Sequence, residues 1–185
     1  MWSSFFAFGC KKRWSWWYDN IIRSVLWILK LFVYGKIRES SLNELINEYK
    51  KRISKYANFE IIEFQDEPIP DSCSLKEAEN IKKVECEKIS KAIKPNDFVV
   101  SLDLTGKQLS SEELSKKIQD ITLNGYSTID FIIGGSLGLT RDFVANSNLV
   151  LSFSKVTFPH QLIRLFLAEQ IFRSFKIINN EKYHH

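Results

Sequence analysis

Cysteine is scarce in this chain: Cys10, Cys73 and Cys86 are the three in 185 residues, and no two form a CxxC pair. An odd number at irregular spacing excludes a disulfide framework and points to a reducing cytoplasm. Histidine is just as scarce, limited to His160, His184 and His185. With cysteines so far apart, no sequence-local zinc site exists and no metal is expected. No run is apolar enough to cross a bilayer. The stretch from Ile21 to Tyr34 is too short and is broken by Arg23 and Lys30, so no membrane partner is expected. Internal repeats and low-complexity tracts are missing as well. A strong charge of one sign is also lacking. The net charge is +4, and residues 1–27 hold Lys11, Lys12, Arg13 and Arg23 against Asp19 alone. The rest is close to neutral, without the basic field of a protein that grips naked nucleic acid unaided.

What is present divides into two parts. Residues 1–27 hold all five tryptophans (Trp2, Trp14, Trp16, Trp17, Trp27) beside Phe5, Phe6 and Phe8. They do not read as a secretory signal, because the basic cluster follows the apolar stretch and no small-residue cleavage site comes after it. Three readings stay open: an interfacial aromatic–basic anchor, a poorly ordered extension, or an artefact of the chosen start site. Residues 28–185 read as one domain, and the 44% apolar content of the whole chain is enough for a core.

Within that domain the apolar period switches repeatedly between strand and helix. Ile28–Tyr34 predicts a strand ended by Gly35. Ser41 with Glu44 predicts a capping box, followed by Leu42, Leu45, Ile46, Tyr49 and Ile53 on one helical face. Phe59–Phe64 predicts a second strand. Ser74 with Glu77 caps a charged helix to about Ala92, with Ile81, Val84 and Ile89 inward. Phe98–Leu104 predicts the third strand and Thr105–Leu109 a loop. Ser110 with Glu113 caps a helix that Asn124-Gly125 closes. Ile129–Ile133 and Leu149–Phe153 predict the fourth and fifth strands, with a short helix over Thr140–Ala145 between them. A last helix is expected from Pro159 to Ile177. This alternation predicts an α/β fold with a mostly parallel sheet and helices on both faces.

The densest chemistry lies between Asp130 and Arg164. The fourth strand ends in Gly134-Gly135-Ser136-Leu137-Gly138, and the fifth runs into Ser154-Lys155-Val156-Thr157-Phe158-Pro159-His160. The first motif is GGxxG, not the GxGxxG dinucleotide fingerprint, and no GK[ST] completes a P-loop. Its glycines serve either a tight turn at positive φ or close backbone approach to a ligand. Pro159 suits a first helical turn whose free N–H groups face a ligand or are simply capped. Two strands that stop at small or polar residues before helices define a ligand crevice at the strand ends. The last helix is apolar nearly all round, so it should bury a second face against another element or another subunit.

Three stretches together resemble a known family: FIIGGSLGL at 131–139, LSFSKVTFPHQLIRLFLAEQIFRSFKI at 151–177 and the terminal KYHH at 182–185. They resemble the SPOUT-class RNA methyltransferases, and more closely the RlmH family of large-subunit rRNA pseudouridine-N(3) methyltransferases. The likeness runs from about Ile28 to His185, and also takes in VVSLDLTGKQLSSEELSKKI at 99–118. It implies a SPOUT fold whose C-terminal segment forms a trefoil knot around an S-adenosyl-L-methionine pocket. It also implies a homodimer acting on 23S rRNA, on assembled ribosomes, in the cytoplasm. By motif, cofactor contacts fall on Leu102, Gly134, Phe153, Ser154, Lys155, Val156, Thr157 and Phe158, and substrate-side roles on His160, Arg164, Tyr183 and His184. Tyr183-His184 is then expected to fold over the target base, with His184 or His160 helping to remove a proton. The alternative is a SPOUT-like protein that binds cofactor or RNA without transferring a methyl group. The resemblance gives the N-terminal tryptophans no function.

Overall fold

Ten elements follow the alternation of apolar period along residues 27–183, the part of the chain described by this computed structural model. They are β1 (Trp27–Tyr34), α1 (Ser40–Ile53), β2 (Ala57–Phe64), α2 (Leu75–Ala92), β3 (Phe98–Gln108), α3 (Ser111–Leu123), β4 (Thr128–Ile133), α4 (Arg141–Ala145), β5 (Leu149–Ser152) and α5 (His160–Ile178). Residues 1–26 and the terminal His184-His185 lie outside the described part. Every neighbouring strand pair is parallel, in the order β2-β1-β4-β3-β5. Central β4 is buried at all of its positions, as expected of a strand covered on both faces.

The pleat divides the core. Leu29, Leu31 and Val33 of β1 pack with Ile53 of α1, Leu114, Ile118 and Ile121 of α3, and Leu167, Ile171 and Phe175 of α5. Phe32 and Tyr34 point the other way, onto Cys86 and Ile89 of α2 and the segment before α4. The expected sheet with helices on both faces is what forms. Trp27 belongs to the domain. It opens β1, is buried, and meets Phe175 edge-on at 5.4 Å.

Several local expectations are corrected. The box Ser41/Glu44 does not cap α1. Its N-cap is Glu39, whose extended backbone (φ −89°, ψ 119°) ends the preceding coil, and no side chain caps the helix. Ser41 is already inside the first turn, where its hydroxyl donates to Glu39 Oε1 at 3.1 Å. The boxes Ser74/Glu77 and Ser110/Glu113 form as expected. On α2 the inward face is rotated. Glu85, Cys86 and Ile89 are buried, while Val84 is 43% exposed. Pro159 is the N-cap of α5, one residue before its first helical residue. The expected loop at Thr105–Leu109 is largely strand. β3 pairs Leu102 with Leu151, loops out over 103–106, and returns to pair Lys107 with the same Leu151 and Gln108 with Ser152. Edge strand β5 thereby gains a second row of partners that polar residues do not advertise.

Candidate active site

The C-terminal ends of β4 and β5 stop level with Leu102 of β3, because the register pairs Leu102 with Ile133 and with Leu151. Beyond them opens a crevice of about 510 Å³, closed on one side by the start of α5. Its walls are loops whose backbones touch. A Cβ on Gly134 would lie 2.7 Å from the carbonyl carbon of Gly138, and one on Gly106 would lie 2.6 Å from that of Leu151. Neither approach tolerates a side chain. Gly138 adopts φ +84° and its N–H closes the turn onto the Gly135 carbonyl at 2.9 Å. Thr105 donates through both N–H and hydroxyl to Asp103 Oδ1, at 2.9 and 2.6 Å, which fixes the β3 wall. On the β5 wall, Ser152 donates to the Ser154 carbonyl at 2.9 Å, and the Ser154 hydroxyl accepts from the Val156 N–H at 3.0 Å.

Of the residues singled out from sequence, Leu102, Gly134, Phe153, Ser154, Val156, Thr157, Phe158 and His160 line this crevice together. Lys155 does not; it is exposed and absent from the lining. Arg164 does not either. It is 2% exposed, one helical turn below His160 on the buried side of α5. Its Nη1 donates to the Gly35 carbonyl at 3.1 Å and its Nη2 to the Tyr34 carbonyl, with Glu63 at 3.5 Å. In this position the guanidinium ties α5 to the end of β1. Tyr183 lies further along α5, donating to Glu169 Oε1 at 2.8 Å beneath Arg173, 4.3 Å from its ring. Burial, and then that hydrogen bond, push its phenol up, so it stays neutral. His184 falls outside the described residues.

His160 stands at the mouth. Packing against its neighbours lowers its pKa, and the Arg164 charge adds to this. It is therefore mainly neutral at pH 7, with a free ring nitrogen able to take a proton. Asp103 and Thr105 also line the crevice and were not singled out. Asp103 and Thr105 follow an apolar strand, the same signal that drew attention to Gly134. Only the register shows that they reach the same height.

A family model described as "Predicted SPOUT methyltransferase" matches residues 28–184 of this sequence. The chain belongs to that family. Among curated proteins it is similar to the ribosomal RNA large subunit methyltransferase H of Clostridium acetobutylicum. The two are 51% identical over 156 residues, covering 84% of this chain and 98% of the relative. Proteins of the same name from Desulforamulus reducens and Clostridium botulinum (strain Hall) are 48% and 51% identical over the same shares. These matches span the domain that carries the crevice. The crevice walls thus coincide with the part of the chain on which the family is defined.

Proposed function

We propose that this chain binds S-adenosyl-L-methionine in the crevice and methylates ring nitrogen 3 of a pseudouridine in 23S rRNA. The observation that carries this reading is the glycine-walled crevice at the ends of β3, β4 and β5 in a member of the SPOUT methyltransferase family. The relatives' name supplies the rRNA. The crevice volume falls in the range of small-molecule sites, and the bare Cα of Gly138, with open space where a Cβ would stand, allows a flat ligand to lie against backbone. Gly134, Phe153, Ser154, Val156, Thr157 and Phe158 would hold the cofactor together with Leu102, while Lys155 stays outside the lining. When bound, the cofactor supplies an electrophilic sulfonium methyl group, so catalysis rests largely on positioning. The protein's remaining task is removal of the imide proton. His160 is neutral at the mouth and suited to it, and His184 is the second candidate.

A trefoil knot is part of the proposal. It is supported by the path of the chain: β5 lies at one sheet edge, yet α5 returns to bind the end of β1 through Arg164. The segment between passes two loops that touch backbone to backbone, at Gly106–Leu151 and Gly134–Gly138. A homodimer is supported by the apolar surface beside the mouth, where Val156, Leu162 and Phe166 are 62%, 40% and 46% exposed. A second subunit on that surface would also enlarge the footprint of a nearly neutral domain on rRNA, consistent with an assembled ribosome in the cytoplasm as substrate. No helix among the described residues is long and apolar enough to cross a membrane.

Mass spectrometry of 23S rRNA nucleosides from cells with and without the gene tests the reading. One methylated pseudouridine should disappear on deletion and return with the wild-type gene. An unchanged nucleoside profile would refute it.

A further inference from the structure

Helix α2 buries the wrong residue for a purely structural helix. Val84 is left 43% exposed while its neighbour Glu85 is 4% exposed. Burying a carboxyl group and exposing an isopropyl group runs against both transfer free energies. A rotation by one residue position, about 100°, would reverse the choice. The Glu85 carboxyl is also poorly satisfied. Oε1 accepts from the Glu67 N–H at a long 3.4 Å, and Oε2 has no partner. Burial, with Asp66 and Glu67 nearby, raises its pKa.

What the carboxyl does touch is the crevice wall. A Cβ built on Gly135 would lie 2.5 Å from Glu85 Oε2 and 3.0 Å from its Cδ, so the carboxyl rests flat on the Gly135 backbone. The next residue holds the far end of the same loop. Cys86 Sγ accepts from the Thr140 N–H at 3.4 Å and lies 3.7 Å from its hydroxyl. Thr140 in turn caps α4 through the Phe143 N–H at 3.2 Å. The Tyr34 hydroxyl, donating to the Glu85 carbonyl at 2.7 Å, pins this turn of α2 to β1. Two consecutive side chains therefore hold both ends of the loop 135–140, whose inner face carries Ser136, Leu137 and Gly138 into the crevice.

We propose that Glu85 is a positioning residue for the cofactor crevice, a buttress that sets the height of the Gly134-Gly135 turn from behind. It touches neither cofactor nor RNA and acts through Gly135. The inference rests on the proposed cofactor reading of the crevice and adds the residue that shapes it. Because the role is one of shape, Gln serves as well as Glu, and Ala does not.

Calorimetric titration of S-adenosylmethionine into the purified full chain, with steady-state turnover alongside, tests the idea. Wild type binds. Glu85→Ala weakens binding and raises the cofactor KM at least tenfold, with kcat at saturating cofactor within threefold of wild type. Glu85→Gln restores binding to within threefold. Gly135→Ala alone also weakens binding at least tenfold, because its Cβ meets the carboxyl. The double variant Gly135→Ala/Glu85→Ala is then weakened by much less than the product of the two single effects. Equal binding by Glu85→Ala and wild type, no rescue by Gln, or multiplicative single effects would each overturn the inference. A wild-type chain that binds no S-adenosylmethionine overturns the cofactor reading itself, which separates the two failures.

Discussion

Arg164 offers the sharpest test of what the fold does with a residue that motif alone assigns to the substrate. Replacing it by Met keeps much of the side-chain volume and removes the guanidinium. Two hydrogen bonds to main-chain carbonyls go with it, to Gly35 at 3.1 Å and to Tyr34. Bonds from a charged donor contribute about 1.5–3 kcal/mol each, and the Tyr34 carbonyl left behind is buried while that of Gly35 is half-buried. Against that loss stands relief of a desolvated cation, whose pKa burial lowers and whose Nε has no partner. The added apolar burial of Met offsets a further part. The balance is a destabilisation of about 2–4 kcal/mol. At roughly 2–4 °C per kcal/mol for a chain of this size, the melting midpoint should drop by on the order of 10 °C. Urea unfolding of wild type, Arg164→Met and Arg164→Lys measures this directly, and Lys should recover only part because it offers no fork. Arg164→Met within about 0.5 kcal/mol of wild type, yet inactive on rRNA, would refute the reasoning and return the guanidinium to the substrate.

Gly134→Val should abolish measurable cofactor binding, because a side chain there meets the Gly138 backbone at 2.7 Å; normal affinity by calorimetry would refute the crevice. Gly106→Ala should cost about 2–4 kcal/mol in urea unfolding, since its methyl meets Leu151 backbone at 2.6 Å and the β3 loop must lift. Asp130 is fully buried, with Lys30 at 3.4 Å, and burial pushes it up to about 7, with Lys30 opposing and Asp97 adding. A raised carboxyl pKa gives stability that is complete below the unfolded value of roughly 4 and is lost as pH rises through about 7. Asp130→Asn should therefore gain on wild type by up to about 3 kcal/mol between pH 5 and pH 8, and parallel urea midpoints would sink this. His160→Ala should lower turnover at least tenfold while leaving cofactor affinity within threefold; unchanged turnover would move proton removal elsewhere.

The elements were legible wherever a local rule acts alone. Ser74/Glu77 and Ser110/Glu113 cap their helices because the box satisfies N–H groups within four residues. Ser41/Glu44 has the same spacing and fails, because the helix already begins at Ser40 after the extended Glu39, which leaves Ser41 inside the first turn. The lower half of β3 was read as loop, since Thr105, Gly106 and Lys107 carry no strand pattern. Their pairing is dictated by Leu151 and Ser152, more than forty positions away. Glu85 was invisible because nothing in a charged helix marks one glutamate as the buried one.

By itself the sequence determined the alternation of strand and helix, the parallel sheet and the stretch that lines the crevice. Each of these follows from periodicity and from small residues at strand ends, which are local properties. The tertiary structure alone decided the register that levels Leu102, Ile133 and Leu151. It also decided the closeness of Gly106 and Gly134 to backbone, and the sorting of the site residues. His160 stands at the crevice mouth, while Arg164, four residues on, is inside as a strut, and Tyr183 rests on Glu169. Residues four apart on a helix share a side, so spacing cannot tell which of them reaches solvent and which meets a strand end. That depends on where α5 crosses β1, and only the packed chain fixes it.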